Sequence, residues 1–282
     1  YPSVSTEETS SRAISVATLR WQEYFIDPQL QALINQALDN SRDLRVMLLR
    51  VKEAQAAYGI QRADLLPSLN VGGATARLGL PGEITPLSDG RPISQFIAGF
   101  NASWELDFWG RVQSLNEAAL NEYLATDAAR QAAQLTLIVQ VADTYLNLLD
   151  LDERLHIANK AIDSRQTSFD MLTRRYQVGS GTNFEVVQAE TLLTQAQALA
   201  VQLRQAQTAQ SNLLTLLLGS APTLTLSGRA LKDNMLVSEL KFGQPSDLLL
   251  NRPDIMAAEF KLKAANANIG AARAAFFPRI TL

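Results

Sequence analysis

RRYQVGSGTNFEVVQAE, Arg174 to Glu190, carries the only glycines between two long stretches that contain neither glycine nor proline. The first stretch runs from Arg111 to Val178, 68 residues, and as a single α-helix would measure about 100 Å at 1.5 Å per residue. The second runs from Thr182 to Leu218, 37 residues, and is closed by Gly219 and Pro222, residues that stop helices. Gly179-Ser180-Gly181-Thr182 invites a phosphate-loop reading, because glycines followed by a hydroxyl residue and a helix can point N–H groups at an anion. Such a loop needs a preceding strand, a lysine and an acidic partner, and none stands where a nucleotide fold requires it. The stretch is therefore the reversal of a long antiparallel helical pair, with Thr182 or Asn183 capping the second helix.

The apolar spacing of both runs is close to a coiled-coil seam. In the first, Val141, Tyr145, Leu148, Leu151, Leu155, Ala158 and Ile162, then Phe169, Leu172 and Tyr176, step by threes and fours, with Arg165 the exception. In the second, Phe184, Val187, Leu192, Ala196, Leu199, Leu203, Ala206, Leu213 and Leu217 are expected to form the packing row. Narrow stripes of this kind require lateral partners.

Composition excludes several functions. The 282 residues are 47% apolar with a formal charge of −3, which provides no basic footprint for nucleic acid. There is no cysteine, hence no disulfide framework or thiolate metal site. The single histidine, His156, lies in a helical stretch, LDERLHIANK, and reads as a surface or packing residue, because a metal site needs further ligands. No apolar run is long enough for a membrane-spanning helix; the best, residues 135–151, is interrupted by Gln140, Asp143 and Asp150.

Between residues 67 and 108 the period changes. SLNVGGATARLG is an extended, glycine-bearing segment, and after a polar, turn-rich loop comes SQFIAGFNASWELDFWG. Phe96, Ala98, Phe100, Ala102, Trp104 and Leu106 alternate with Gln95, Gly99, Asn101, Ser103 and Glu105, and Ile97 is the one bulky residue on the polar side. One face meets apolar surroundings and the other meets water or polar contents. A soluble sandwich and a transmembrane barrel hairpin both fit this pattern.

An internal repeat bears on the choice. AQAAYGIQRADLLPSL (54–69) aligns without gaps on ANANIGAARAAFFPRI (265–280), and over 40–71 against 251–282 nine of 32 positions are identical. Those are Asn40, Asp43, Lys52, Ala54, Ala56, Gly59, Arg62, Ala63 and Pro67, where chance supplies roughly two. A unit of helix, strands, long helix and shorter helix begins again near residue 247, and the strands and long helices of a second unit are expected beyond residue 282. Two hairpins per complete chain give four strands, too few to close a barrel whose edges must be satisfied inside lipid. Only an oligomer can close it.

WQEYFIDPQLQALINQAL (21–38), AQAAYGIQRADLLPSL, WELDFWGR (104–111), RRYQVGSGTNFEVVQAE, LLLGSAP (216–222) and NRPDIMAAEFKLKAANANIGAARAAFFPRI (251–280) together resemble the outer-membrane factor (TolC-like) family of tripartite efflux pumps, in its OprM and VceC branch. The resemblance implies a mixed all-α plus membrane β-barrel fold. In that fold a homotrimer forms a twelve-stranded outer-membrane barrel, continued by a periplasmic α-helical barrel, with two structural repeats per subunit. It also implies partners: outer-membrane lipid, a periplasmic adaptor (membrane fusion) protein and an inner-membrane transporter. Catalysis, cofactors and nucleic acid have no place in it. The expected organisation is an N-terminal segment and short equatorial helix (1–40), an upper helix of the first repeat (41–66), a barrel hairpin (67–108), a long periplasmic helical hairpin (109–218) with its tip at 179–182, an equatorial connection (219–250) and the start of the second repeat (251–282).

Residue roles follow from the same resemblance. Phe96, Ala98, Phe100, Trp104 and Leu106 are expected to face lipid. Glu105, Asp107 and Arg111 mark the strand-to-helix junction, with Asp107 capping the long helix and Arg111 pairing with it. Arg175, Tyr176, Val178, Gly179, Ser180, Gly181 and Thr182 match the tip where an adaptor docks. Asp143, Asp150 and Asp152 are candidates for lining the tunnel or for a solvated helix face. Gate residues are expected in the second repeat. The competing reading is a soluble coiled-coil scaffold or adaptor, with the alternating segment packed on a soluble domain.

Overall fold

The computed structural model describes residues 14–15, 20–78, 93–222, 235–237, 240–241 and 251–282. The expected turn-rich loop of residues 79–92 and most of the 219–250 connection lie outside the described residues. The elements are β1 (Ile14–Ser15), α1 (Trp21–Tyr24), α2 (Pro28–Asn40), α3 (Arg42–Ala63), β2 (Ser68–Leu78), β3 (Ile93–Ser103), β4 (Glu105–Leu106), α4 (Arg111–Gln177), α5 (Asn183–Leu218), β5 (Leu240–Lys241), α6 (Pro253–Ala274) and β6 (Ile280–Thr281). Without a helix breaker in its interior, α4 continues for 67 residues. The chain divides into two compact units, Tyr1–Leu48 with Arg130–Pro253 and Leu49–Ala129 with Asp254–Leu282.

In the first unit the core gathers α2, the middle of α4 and the end of α5. Pro28 opens α2 at a position where its missing N–H costs nothing, and the carboxylate of Asp27 caps the helix by accepting from the Gln29 N–H at 3.0 Å. Leu30, Leu33, Ile34 and Ala37 then form one buried stripe against Val141, Tyr145, Leu148 and Leu149 of α4 and Leu214 and Leu218 of α5. Each fully buried Leu or Ile contributes about 1.5–3 kcal/mol. Tyr145 is fully buried, and its hydroxyl donates to the other oxygen of Asp27 at 2.8 Å, so the cap of α2 is tied to the core. β1 pairs in parallel with β5, and Phe25 bridges Leu236.

α4 and α5 run antiparallel from this core. The amides of Gln210 and Gln207 donate to the Thr144 carbonyl (3.3 Å) and to Asp152 (2.9 Å), and the Arg165 guanidinium donates to the Leu192 carbonyl (2.6 Å). As the position on α4 advances, its partner on α5 retreats, which defines the hairpin. On α4 the expected seam is buried at Val141, Tyr145, Leu148, Leu155 and Ala158. On α5 the expectation needs correction. Of the predicted row only Ala196 is buried, and the packed row is Ala189, Leu193, Ala196, Ala200, Leu214 and Leu218. Phe184, Val187, Leu192, Leu199 and Leu213 are exposed. The helix carries apolar residues on two faces, and the packed one is half alanine, whose small side chains admit closer approach, while the larger Phe184, Val187, Leu192, Leu199 and Leu213 stay outside.

In the second unit β2 and β3 form an antiparallel hairpin in unbroken register, Ser68 opposite Ser103 through Leu78 opposite Ile93. At Trp104 the chain changes partner. Trp104 and Leu282 exchange backbone hydrogen bonds (3.1 and 2.9 Å), and β4 pairs with β6. Both bounds of α6 lie 211 positions after those of α3, 42 to 253 and 63 to 274. The same two turn bonds close both helices, Leu65 N–H to Arg62 and Leu66 N–H to Ala63 in one, Phe276 to Arg273 and Phe277 to Ala274 in the other. The two helices differ in burial. α6 buries Ala257, Ala264, Ala267, Ala271 and Ala274, and a Cβ on Gly270 would stand 3.1 Å from Ser114 Oγ of α4. α3 buries nothing, and Val46 and Ile60, the counterparts of Ala257 and Ala271, are exposed.

Gly219 ends α5 in the left-handed region at φ +69°, and a Cβ there would lie 2.4 Å from the Asn40 carbonyl oxygen. Gly219→Ala is expected to lower stability by roughly 1–2 kcal/mol from the backbone conformation alone, and further through that clash. Thermal unfolding checks this. The control, Gly59→Ala, places its Cβ in open space within a helix and should be neutral or stabilising by up to about 1 kcal/mol.

Candidate functional site

The reversal between α4 and α5 is built from two end motifs. Gly179 takes φ +74°, its N–H donates to the Tyr176 carbonyl (3.0 Å), and the Ser180 N–H donates to the Arg175 carbonyl (2.9 Å). This is a Schellman closure, which satisfies carbonyls that the helix leaves open and favours glycine in the left-handed position. Ser180 Oγ donates to the same Arg175 carbonyl (3.2 Å), and the Arg175 guanidinium donates back to the Ser180 carbonyl (3.4 Å). Gly181 sits close under the turn, where a Cβ would lie 3.2 Å from the Tyr176 nitrogen. Thr182 then begins α5 with a capping box: its Oγ1 accepts from the Glu185 N–H (3.4 Å), and its own N–H donates to the Glu185 carboxylate (2.9 Å). The Thr182 backbone N–H, the Thr182 side chain and the charge of Arg175 hold the Glu185 carboxyl below its ordinary range.

Around the Schellman closure and the capping box, apolar side chains are left outward. Val178 is 78% and Phe184 76% exposed, and Tyr176 and Val187 are exposed beside them. A folded surface offering such groups at a rigid turn suits the apolar contacts of a protein partner.

The second candidate surface is the β2–β3 hairpin. Directly opposite residues share a face, so Leu69 with Ala102, Val71 with Phe100, Gly73 with Ala98 and Thr75 with Phe96 make one side. Ser68 with Ser103, Asn70 with Asn101, Gly72 with Gly99 and Ala74 with Ile97 make the other. Phe96 and Phe100 are 77% and 81% exposed, and Ala98 is exposed as well. Trp104 is less so, and its indole N–H donates to the Leu65 carbonyl (3.2 Å); Leu106 is half-buried in the pairing with β6.

At the junction below these strands the Asp107 carboxylate accepts from the Gln113 N–H at 2.7 Å in the first turn of α4, which is the cap expected of it. Arg111 does not pair with Asp107. It forks onto Glu105 through Nε (2.8 Å) and a terminal nitrogen (2.6 Å). The bidentate geometry of two planar groups favours the carboxylate one strand residue away, while Asp107 is already engaged by the helix. Trp109 stacks on Phe277 with centroids 4.5 Å apart and donates to the Pro278 carbonyl (3.1 Å). Of the candidate tunnel carboxylates, Asp150 pairs with Arg154 and Asp152 accepts from Gln207, both local roles.

The profile of a family described as outer membrane efflux protein matches residues 33–220 and 244–282. The chain belongs to the outer membrane efflux protein family. It is 40% identical over 271 residues to the solvent efflux pump outer membrane protein SrpC of Pseudomonas putida, an alignment covering 96% of this chain and 58% of SrpC. It is 40% identical over 271 residues to the outer membrane protein OprJ of Pseudomonas aeruginosa, covering 95% of this chain and 56% of OprJ. Among solved structures, the open state of the MtrE outer membrane channel of Neisseria gonorrhoeae superposes with a TM-score of 0.78 at 36% identity, over 99% of this chain and 63% of MtrE. The chain thus spans a little over half the length of these curated relatives.

Within this family member, sequence reasoning missed three features. Phe184 and Val187 belong to the exposed surface of the turn, although their spacing fits a packing row equally well. Leu69 and Val71 complete the apolar face of the hairpin, and glycine and alanine in β2 dilute the alternation that would have shown it. The Arg111–Glu105 fork was readable only as one of two carboxylates within reach.

Because the Glu185 carboxyl is lowered in the folded chain, the capping box contributes stability above the ordinary carboxylate range and loses it as pH falls through the lowered value. Amide exchange at Thr182 should therefore accelerate on acidification beyond the intrinsic pH effect. Glu185→Gln should remove that extra dependence.

Proposed function

We propose that this chain is part of the subunit of an outer-membrane exit channel, a passive trimeric conduit of a tripartite efflux pump in a Gram-negative bacterium. The observation that carries the reading is the two-faced β2–β3 hairpin, mainly apolar on one side up to Phe96 and mainly amide, hydroxyl or glycine on the other, in a chain whose helical hairpin ends in a turn with an outward apolar surface. A two-stranded sheet exposed on both faces does not persist in water by itself. Lipid against Phe96, Phe100 and Val71, and a water-filled lumen against Asn70 and Asn101, accommodates both faces.

The complete subunit in this reading has two repeats. α6 and β6 are the counterparts of α3 and β2, and the second unit adds two further strands, so that three subunits close twelve. Membership of the outer membrane efflux protein family supports this, as do the equal lengths and matching end bonds of α3 and α6. The exposed row of α3 that corresponds to the buried row of α6 calls for a helix from a neighbouring subunit. The Glu105–Arg111 fork and the Asp107 cap fix the angle at which the barrel strand enters the helical part. Val178, Phe184 and their neighbours form the docking tip for a periplasmic adaptor, which an inner-membrane transporter supplies with cargo. No residue is assigned to chemistry, and flow is downhill once the adaptor opens the channel.

Two measurements test the reading. The full-length protein should need detergent for extraction and migrate as a trimer; a monomer soluble without detergent would instead be the coiled-coil scaffold. Val178→Asp and Phe184→Asp should leave the trimer intact while weakening adaptor association by about tenfold, the loss of one apolar hot-spot contact, and should raise drug susceptibility. Unchanged adaptor crosslinking in both variants would refute the tip assignment.

A further inference from the structure

Gly72 and Gly99 lie directly opposite one another in the middle of the hairpin, on the face that carries Asn70, Asn101, Ser68 and Ser103. Glycine weakens a strand interior, and where it persists it usually marks a left-handed backbone, a bulge or a close neighbour. None of these operates here. Neither residue has a backbone in the left-handed region, the register runs unbroken past both, and among the described residues a Cβ on either would meet nothing within 4 Å. Gly73, one position along and on the apolar face, differs: a Cβ there would make an ordinary 3.8 Å contact with the Ile97 carbonyl. Inside the hairpin, then, there is room for a side chain at both members of the pair, and the space left open lies on the polar side.

We infer that Gly72 and Gly99 form a side-chain-free window in the pore wall of this sheet. The bore at that level is set by backbone, and solutes pass without meeting a charged or bulky group from this hairpin. The inference rests on the channel reading and assigns residues to its lumen. Around the window the polar face offers the amides of Asn70, Gln95 and Asn101 and the hydroxyls of Ser68 and Ser103, with Ile97 beside it as a large apolar group. Carboxylate, ammonium and guanidinium are absent from these positions. Such a wall hydrogen-bonds to either end of a dipolar solute and attracts neither sign of charge, which suits transit of amphipathic organic molecules rather than selection of an ion.

Cysteine substitution in the full-length protein tests this, since residues 1–282 contain no cysteine. Gly99→Cys and Gly73→Cys trimers are reconstituted in planar lipid bilayers together with the periplasmic adaptor that opens the channel. Each is treated after assembly with water-soluble thiol reagents of increasing size, with the unsubstituted protein treated in parallel. Labelling at Gly99→Cys should lower single-channel conductance stepwise with reagent size, by at least about twofold with the largest, as narrowing of a bore requires. Gly73→Cys should neither label with these reagents nor change conductance. Because modification follows assembly, a folding defect does not imitate the effect. A labelled Gly99→Cys channel with unaltered conductance, or a conducting one that resists labelling, would overturn the window, as would blockage through Gly73→Cys instead. A trimer that conducts in no form, with the adaptor present to open it, would overturn the channel reading itself.

Discussion

Backbone hydrogen bonding at sheet edges is the constraint on which the rest of this structure depends. β2 and β3 satisfy each other along eleven residue pairs, and at Trp104 the second strand passes to a new partner, β6. In the proposed channel, such a strand is part of a larger, closed sheet. Every N–H and C=O on a free edge has to find water or another strand, and inside lipid only closure provides the partner. The two-sided exposure of Phe100 and Asn101, neighbours that point to opposite faces, restates the demand in side chains.

The helices pose the same demand in a different form. α3 and α6 are equal in length and end on equivalent bonds, yet α6 buries an alanine row where the related row of α3 is bare. In the ring of the proposed trimer, the neighbour of one copy is supplied within the chain and the neighbour of the other by the next subunit. The exposed second row of α5, with Leu192, Leu199 and Leu213, fits the same ring.

The turn at Gly179 to Thr182 illustrates a division between shape and contact. The Schellman closure and the capping box hold its shape from within the turn. Contact is left to Val178 and Phe184, which no internal bond requires. A glycine-rich loop that first suggests anion chemistry thus presents an apolar surface, with the N–H groups of Gly179, Ser180 and Thr182 bonded within the turn.

By itself the sequence determined the long helices, through the absence of glycine and proline over the span of α4. It also determined the site of reversal, through Gly179, and the two-faced strand, through alternation around Phe100. These are local properties, legible because backbone preference and side-chain period act within a few residues. What only the tertiary structure decided were choices between equivalents. α5 has two apolar rows, and packing against α4 chose the one that contains Ala189, Ala196 and Ala200, whose small side chains allow close approach. Arg111 has two carboxylates within reach, and the strand geometry chose Glu105. β2 hides its faces behind glycine and alanine, and only the register with β3 places Gly72 opposite Gly99. In each case the residues are ambiguous alone, and the distance to a partner remote in sequence resolves them.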